Sequence, residues 1–346
     1  MKVLVAGATG VVGQQLLPLL VAHGHQVGGL ARSERSQQEV TRLGGTPVAA
    51  DALDARSILD AVQRFQPEVI VHQLTALAGS LDLRHFDQTF ALTNRLRTEG
   101  TDHLLAAGRD VGVRSFIAQS YAGWPFARTG GPVKTELDPL DPSPVPSMRR
   151  TLEGIRYLER VVTEAGWTEG IVLRYGGFYG PGTSLSPGGE NIQQVLDRKF
   201  PVVGKGGGVW SFTHVADAAG ATLAAIEHGQ RGIYQVVDDD PAPVREWLPE
   251  IAAELGAPTP LHVPRWVGRL LAGEAAVVMM TEIRGASNAK AKRELGWQPA
   301  YPSWRGQFAT AAPSTKTASN IASADKPADN GRRADVGNQG RRGTTA

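Results

Sequence analysis

The chain opens with Met1-Lys-Val-Leu-Val-Ala-Gly-Ala-Thr-Gly-Val-Val-Gly13. The run from Lys2 to Ala6 is apolar and rich in valine, which predicts a buried first strand. Three glycines follow at three-residue spacing, and apolar residues then recur at helical spacing. A strand, a glycine-rich turn and a helix N-terminus form a site for a phosphate group, because free backbone N–H groups and the helix dipole meet there.

Each glycine has a role in such a turn. Gly7 permits the tight bend, Gly10 lets the backbone approach a phosphate, and Gly13 lets the helix pack closely on the sheet. The triplet alone is weak evidence, but its place between an N-terminal strand and an amphipathic helix makes it much stronger. The alternative is a βα turn that binds nothing.

The composition is ordinary for a globular α/β protein of 346 residues. The absence of cysteine excludes disulfides, thiol catalysis and cysteine-ligated zinc. No apolar run is long enough to span a membrane, and the N-terminus is a strand of the fold, not a signal peptide. We therefore expect a cytoplasmic protein with no membrane partner. The scattered histidines suggest no metal site.

Strand and helix patterns alternate through the first half of the chain. The predicted strands are 2–6, 26–31, 47–50, 69–74, 115–119 and 171–175, and the main predicted helices are 57–65, 92–108 and 152–165. This alternation predicts βαβ units and a doubly wound parallel sheet with helices on both faces. The second half is less regular and predicts a smaller lobe, which includes a helix over 215–227 and a strand over 233–237.

Short motifs along the chain resemble the landmarks of the extended and atypical short-chain dehydrogenase/reductase superfamily, the NAD-dependent epimerase/dehydratase group. The motifs are Gly7-Ala-Thr-Gly-Val-Val-Gly13, Val71-His72, Gly112-Val-Arg-Ser-Phe-Ile117, Leu173-Arg174, Tyr179-Gly-Pro-Gly182, Phe212-Thr-His-Val-Ala-Asp217 and Glu294-Leu-Gly-Trp297. They occur in register from residue 1 to about 308. The resemblance implies a Rossmann fold with a nicotinamide dinucleotide across the carboxyl ends of the strands.

The resemblance divides the chain into three regions. Residues 1–175 form a dinucleotide-binding Rossmann region, and residues 176–309 form a substrate-binding lobe that closes the fold. Residues 310–346 lack leucine and aromatic residues, which predicts a disordered tail. The tail carries six basic and three acidic residues, and its arginine pairs predict a solvated segment, not a nucleic-acid site.

The resemblance also implies which residues hold the cofactor. Those at the pyrophosphate are Gly7, Thr9, Gly10, Val11, Val12 and Gly13. Asp51 and Ala52 match the adenine contact, while Leu74, Thr75 and Ala76 match the segment beside the nicotinamide ribose. Tyr175 matches a residue at the nicotinamide end.

The end of the second strand bears on the choice of cofactor. Members that prefer NAD usually have an acid there, whereas this chain has Arg32 and Ser33. A basic residue suits a 2′-phosphate, so we favour NADP(H) and leave NAD open. The alternative is that Arg32 is an ordinary solvated loop residue.

The family's catalytic Tyr-x-x-x-Lys pair is absent. Aligned on Glu159, the tyrosine position falls near Thr151 and the lysine position near Ile155. Ser120 follows the fifth strand, where the family places its serine, and we expect it to hydrogen-bond a substrate carbonyl. Tyr121 is the candidate for a displaced acid, and the alternative is an aromatic residue that packs at the strand end.

Three functions remain open at this stage. The first is hydride transfer between NADP(H) and a carbonyl or secondary alcohol, with a small-molecule substrate. The second is a nucleotide-sugar epimerase or dehydratase that retains NAD, and the third is a non-catalytic dinucleotide sensor. Relatives often pair through two long helices, here about 92–108 and 152–165, which implies a homodimer.

Overall fold

The computed structural model describes residues 1–77 and 82–308. The tail predicted for 310–346 lies outside the described residues, as does the last residue of the predicted lobe. The strands are β1 (Lys2–Ala6), β2 (Gln26–Ala31), β3 (Thr46–Ala49), β4 (Val69–His72), β5 (Ser115–Tyr121), β6 (Val133–Lys134), β7 (Glu169–Tyr175), β8 (Gly177–Tyr179), β9 (Val202–Val203), β10 (Val209–Trp210), β11 (Phe212–His214), β12 (Gly232–Val236), β13 (Ala242–Pro243), β14 (His262–Val263) and β15 (Gly285–Ala286). The α-helices are α1 (Val11–Ala22), α2 (Glu34–Arg42), α3 (Ala55–Phe65), α4 (Phe86–Thr89), α5 (Ala91–Arg95), α6 (Thr101–Val111), α7 (Arg149–Thr163), α8 (Glu190–Leu196), α9 (Val215–His228), α10 (Val244–Glu254), α11 (Arg265–Thr281) and α12 (Ala289–Leu295).

A central sheet of seven parallel strands has the order β3-β2-β1-β4-β5-β7-β12. β1 lies inside it, with Val3 aligned to Val27 on one side and to Val69 on the other. The chain turns to opposite sides of β1 to form β2 and β4, so the strand order reverses there. The fold class predicted from the alternating pattern, a Rossmann-type doubly wound sheet, is confirmed.

Helices cover both faces of the sheet, as its apolar strands require. The helices α1 and α9 pack on one face, where Leu16, Leu17 and Leu20 of α1 are fully buried. The helices α3, α6 and α7 pack on the other face. The carboxyl ends of the strands therefore form an edge that is open to ligands between two helical layers.

The strand predicted over 233–237 was assigned to the small lobe, and that assignment is wrong. It is β12, and it pairs with β7 from Gly232 opposite Ile171 to Val236 opposite Tyr175. A parallel neighbour requires a crossover connection, which α9 provides after the chain has left the sheet at the end of β7. The division of the chain at residue 175 remains a prediction, although the sheet is completed by residues beyond it.

The long helix predicted over 92–108 is interrupted. α5 ends at Arg95, a π-helical turn covers Leu96–Gly100, and α6 begins at Thr101. A π-helical turn holds one more residue than an α-helical turn, so it changes the direction in which the side chains point. Within this turn Arg97 is buried, although its charge predicts a surface position.

The remaining elements form a second core around Trp247, Phe212 and Trp304, which are all buried. Asp217 in α9 accepts hydrogen bonds from the backbone N–H groups of Ala300 and Tyr301, and so ties the closing segment to the sheet. Among the described residues, no helix is both long and apolar enough to cross a bilayer.

Candidate cofactor and active site

The turn between β1 and α1 has room for backbone only. Gly7 has a φ of +95°, and a Cβ there would lie 2.6 Å from the carbonyl oxygen of Gln73. A Cβ at Gly13 would lie 2.4 Å from the carbonyl oxygens of both Gly7 and Ala8. Both glycines are therefore required by the close packing of α1 on the strand ends.

The first turn of α1 is uncapped. Its N-cap is Gly10, which is exposed and offers no side chain to the N–H groups that follow. Val12 is buried in the core, so only its backbone faces the turn, while Thr9 and Val11 are half-buried. Bare N–H groups at the positive end of a helix dipole suit an anion, and the turn fits the pyrophosphate of a dinucleotide.

The ends of β2 and β3 lie beside this turn. Arg32 has 68% of its side chain exposed, and its Nη1 lies 3.9 Å from Asp51 Oδ2. Ser33 is the N-cap of α2, and its hydroxyl accepts a hydrogen bond from the backbone N–H of Ser36. Ala52 is buried, and its carbonyl oxygen accepts a hydrogen bond from His103 Nδ1. This corner thus offers an exposed cation next to a helix N-terminus.

The segment after β4 is fixed by hydrogen bonds from its backbone to two side chains. His72 accepts a hydrogen bond from the N–H of Leu74, and Thr93 Oγ1 accepts one from the N–H of Ala76. Burial lowers the pKa of His72 to about 4, so this histidine is neutral. Leu74, Thr75 and Ala76 are half-buried, so this segment has surface to offer a ligand.

Ser120 is committed to an interaction inside the protein. Its Oγ donates to Glu159 Oε1 at 2.7 Å, and Arg174 holds the same carboxylate through Nε at 2.7 Å and Nη2 at 2.6 Å. All three residues are buried. The hydroxyl proton predicted to serve a substrate is therefore used to stabilise a buried ion pair.

Tyr121 is the last residue of β5, and it packs against the apolar cluster that includes Leu152 and Ile155 of α7. Its ring packs near Trp124, with centroids 6.4 Å apart, and its hydroxyl makes no hydrogen bond with the described residues. Burial raises its pKa to about 12, so the hydroxyl keeps its proton at neutral pH. It can donate a proton or hydrogen bond but cannot serve as a base.

Tyr175 has no exposed surface. Its hydroxyl accepts from Gln73 Nε2 at 3.1 Å and lies 2.7 Å from Thr222 Oγ1. Its carbonyl oxygen accepts from the N–H of Ala122. The polar atoms of this predicted cofactor contact are thus engaged within the protein.

The two α7 residues that the sequence places near the positions of the missing catalytic pair do not titrate. Thr151 is fully buried, and its N–H and hydroxyl both donate to Asp87 Oδ1. Ile155 packs in an apolar cluster that includes Phe86, Trp124 and Leu152. A conventional proton relay through α7 is absent from this helix.

Two polar residues of this region were not predicted from the sequence. Asn94 donates from Nδ2 to Thr151 Oγ1 at 3.1 Å, and its Oδ1 accepts from Arg97 Nη1 at 3.3 Å. Asn94 and Arg97 are polar residues three positions apart, a spacing that hints at one helical face, but the π-helical turn that contains Arg97 hides this pattern from the sequence. Among the described residues, no acidic and histidine side chains gather into a metal site.

Comparison with known proteins agrees with this geometry. Residues 3–237 match the model of the NAD-dependent epimerase/dehydratase family. The chain belongs to that family. Its relatives are reductases and epimerases, and the chain is an NAD(P)-dependent enzyme of the oxidoreductase type found in this family.

One relative is the 3-diazoavenalumate denitrifying reductase of a Streptomyces species. It is 45% identical over 306 residues, which cover 88% of this chain and 98% of the relative. Another is the 4-hydroxy-2-methyl-3-oxo-4-farnesyl-3,4-dihydroquinoline-1-oxide ketoreductase of Stigmatella aurantiaca, 27% identical over 86% of this chain and 92% of its own length.

A solved structure has the same fold. The UDP-glucose 4-epimerase of Thermus thermophilus, solved with NAD, superposes with a TM-score of 0.68 at 24% identity. The match covers 90% of this chain and 97% of that one. The fold similarity extends across both the sheet and the second core.

Proposed function

We propose that this chain is an NADPH-dependent reductase that removes nitrogen from an aromatic diazo compound. The observation that carries the proposal is the pair Thr151 and Ile155 at the tyrosine and lysine positions of α7. A threonine bound to Asp87 and an isoleucine in an apolar cluster offer no proton relay. The acceptor should therefore be one whose reduction needs no proton from the protein.

An aryl diazonium group meets that requirement. A hydride that adds to a carbonyl carbon leaves an alkoxide, which must be protonated. For a diazonium the balance is Ar–N₂⁺ + H⁻ → Ar–H + N₂. The C–N bond breaks and its electron pair leaves with N₂, while the hydride pair forms the C–H bond. The 45% identical relative, named for a diazo substrate, supports this class of acceptor.

The bound nicotinamide would supply the hydride. We propose that the uncapped turn at Gly10 holds the pyrophosphate, that Asp51 and Ala52 lie at the adenine, and that Leu74–Ala76 flank the ribose. Arg32 supports NADPH over NADH, because its exposed guanidinium stands at the N-terminus of α2 where a 2′-phosphate would lie. Its contact with Asp51 is long and exposed, so it holds the arginine weakly.

Reduction of a carbonyl is the second candidate, and one observation favours it. Tyr121 carries a protonated hydroxyl with no partner among the described residues, so it could protonate an alkoxide. In that reaction Ser120 would have to give up its bond to Glu159 in order to orient the oxygen. The ketoreductase relative supports this alternative.

The test measures cofactor binding and turnover on the full chain. NADPH and NADH are titrated by calorimetry into wild type, Arg32→Asp and the control Arg109→Asp, which changes an exposed residue at the other end of the sheet. We expect a preference for NADPH that falls by about tenfold or more in Arg32→Asp only. Stoichiometric N₂ release and NADPH oxidation with hydroxybenzenediazonium would support the diazo acceptor.

Two results would contradict the proposal. Turnover of ketones in the absence of any turnover of diazonium salts would favour the carbonyl alternative. Tightly bound NAD in the purified protein, detected by mass spectrometry, would instead favour an epimerase or dehydratase that recycles its cofactor.

A further inference from the structure

A buried arginine in the site has no role in the chemistry described so far. Arg97 lies in the π-helical turn Leu96–Gly100 and is 7% exposed. Burial lowers its pKa to about 10, so it remains charged at neutral pH. The one hydrogen bond of its guanidinium with the described residues, from Nη1 to Asn94 Oδ1, is long at 3.3 Å. Single π-helical turns inside helices occur frequently at functional sites.

The charge of Arg97 is not neutralised by the part of the chain that the structure describes. Glu159 is close enough to act on it electrostatically, but its carboxylate is already held by Ser120 and Arg174. The ring of Phe90 lies under the guanidinium at 5.9 Å and gives only partial compensation. A largely buried guanidinium with a single long hydrogen bond has donors left over, and an anionic ligand is the partner that suits them.

The position of Arg97 connects it to the acceptor side of the site. Arg97 donates a hydrogen bond to Asn94, and Asn94 donates one to Thr151, which lies near the family's tyrosine position. Thr93, the residue before Asn94, accepts a hydrogen bond from the N–H of Ala76, which belongs to the segment proposed to flank the nicotinamide ribose. Arg97 therefore lies between α7 and the end of β4, where an acceptor would receive the hydride.

We propose that Arg97 binds an anionic oxygen on the ring of the acceptor, so that the substrates are aromatic diazo compounds bearing a phenolate. This inference rests on the proposed function and makes it more specific. A fixed guanidinium repels a bare aryl diazonium cation. When the ring also carries a phenolate, the molecule has no net charge, and its anionic oxygen accepts hydrogen bonds from the guanidinium.

The reaction of such a substrate makes use of the same contact. The balance is ⁻O–Ar–N₂⁺ + H⁻ → ⁻O–Ar–H + N₂. The C–N electron pair leaves with N₂, the hydride pair forms the C–H bond, and the net negative charge of the product rests on the oxygen. A preorganised cation at that oxygen stabilises the charge as it develops, which is worth about 10²- to 10³-fold in rate at comparable sites.

The first test examines the oxyanion site without turnover. 4-Nitrophenol is titrated into the NADPH-loaded protein, and the visible absorbance of its phenolate reports the ionisation of the bound molecule. We expect wild type to bind the phenolate preferentially and so to lower the apparent pKa of the phenol. Arg97→Gln should abolish that shift, Arg97→Lys should keep part of it, and the control Arg95→Gln, which changes an exposed arginine of the preceding turn, should keep all of it.

The second test compares kcat/KM for hydroxybenzenediazonium and unsubstituted benzenediazonium. Arg97→Gln should lower the first by about 10²-fold or more and leave the second unchanged or higher. Equal losses on both substrates would overturn the inference, as would a wild-type protein that binds neutral and ionised nitrophenol alike. If wild type shows the nitrophenol shift but reduces neither diazonium salt, the oxyanion site stands and the proposed reaction fails.

Discussion

The hydroxyl of Ser120 lies 2.7 Å from the carboxylate of Glu159, which Arg174 also holds through two bonds. The contact joins β5, α7 and β7 beneath the strand ends where the acceptor is proposed to bind. A serine that donates its only proton to a buried carboxylate serves to position α7. It would have to break this bond in order to donate to a ligand.

Ser120→Ala should therefore affect stability more than chemistry. Removal of a hydrogen bond to a charged group should lower the free energy of unfolding by about 1.5–3 kcal/mol, measured by urea denaturation. We expect kcat/KM with a diazo acceptor to change less than about tenfold, since that reaction uses no donor from Ser120. Ser115→Ala, at the other end of the same strand, is the matched control. A loss of several orders of magnitude in kcat without loss of stability would assign Ser120 to the chemistry.

Tyr121→Phe separates the two candidate acceptors. The pKa of about 12 keeps Tyr121 protonated, so its hydroxyl can protonate an alkoxide. The loss of N₂ needs no proton, so that reaction does not use the hydroxyl. We expect kcat to fall by about 10²-fold with a ketone and to stay within a few-fold with a diazonium salt. Tyr157→Phe removes a hydroxyl bonded to Asp102 on the exposed side of α7 and should change neither rate. Equal losses with both acceptors would argue against separate proton requirements.

Gly13→Ala should damage the cofactor turn. The added methyl would lie 2.4 Å from two backbone carbonyl oxygens, so α1 must move away from the strand ends. We expect a loss of about 1–3 kcal/mol in the free energy of unfolding and at least tenfold weaker NADPH binding by calorimetry. Gly166→Ala is the control, because nothing lies within 4 Å of its added methyl. Unchanged NADPH affinity in Gly13→Ala would remove the turn from the binding site.

Asp238 predicts a pH dependence of stability. Burial raises its pKa to about 8 from 3.8, and its Oδ2 has no hydrogen-bond partner among the described residues. The folded protein binds the proton of Asp238 more tightly than the unfolded chain does. Protonation of Asp238 therefore stabilises the fold fully below pH 3.8, and this stabilisation is lost as the pH rises towards 8. Asp238→Asn should remove this loss and raise the free energy of unfolding at pH 8 relative to wild type, measured by urea denaturation across pH.

Asp239 is the control for Asp238, because its pKa is shifted in the opposite direction. Burial would raise the pKa of Asp239, but its bonds to Lys292 and Asn288 outweigh that effect and lower the pKa. Its contribution is present above pH 3.8 and is lost as the pH falls. Asp239→Asn should therefore reduce stability at pH 8. If both variants shifted stability in the same direction, the assignment of the pH dependence to Asp238 would be wrong.

Local sequence signals were sufficient for much of the sheet. β1 and β2 begin and end where the apolar runs predict, at Lys2–Ala6 and Gln26–Ala31. The requirement for Gly7 and Gly13 follows from their spacing and is matched by the tight packing around both. These features depend on neighbours in the sequence, which is why a pattern can reveal them.

Features that depend on distant neighbours were not predictable. β12 lies next to β7 only because the chain returns to the sheet, and a strand pattern does not state its partner. The π-helical turn that buries Arg97 changes the phase of a helix whose pattern reads as continuous. The pairing of Ser120 with Glu159 joins residues 39 positions apart. The site therefore differs most from expectation where tertiary contacts decide the role of a polar side chain.

β12 pairs with β7 but follows it by more than fifty residues in the sequence, which has a consequence for shortened versions of the chain. A fragment that stops at Tyr175 would retain β7 but leave its outer side without the hydrogen bonds that Gly232–Val236 provide. Unpaired N–H and C=O groups along an apolar strand are a template for any other strand that meets them. The isolated amino-terminal half should therefore self-associate edge to edge, and a peptide that carries the β12 sequence should compete with that assembly.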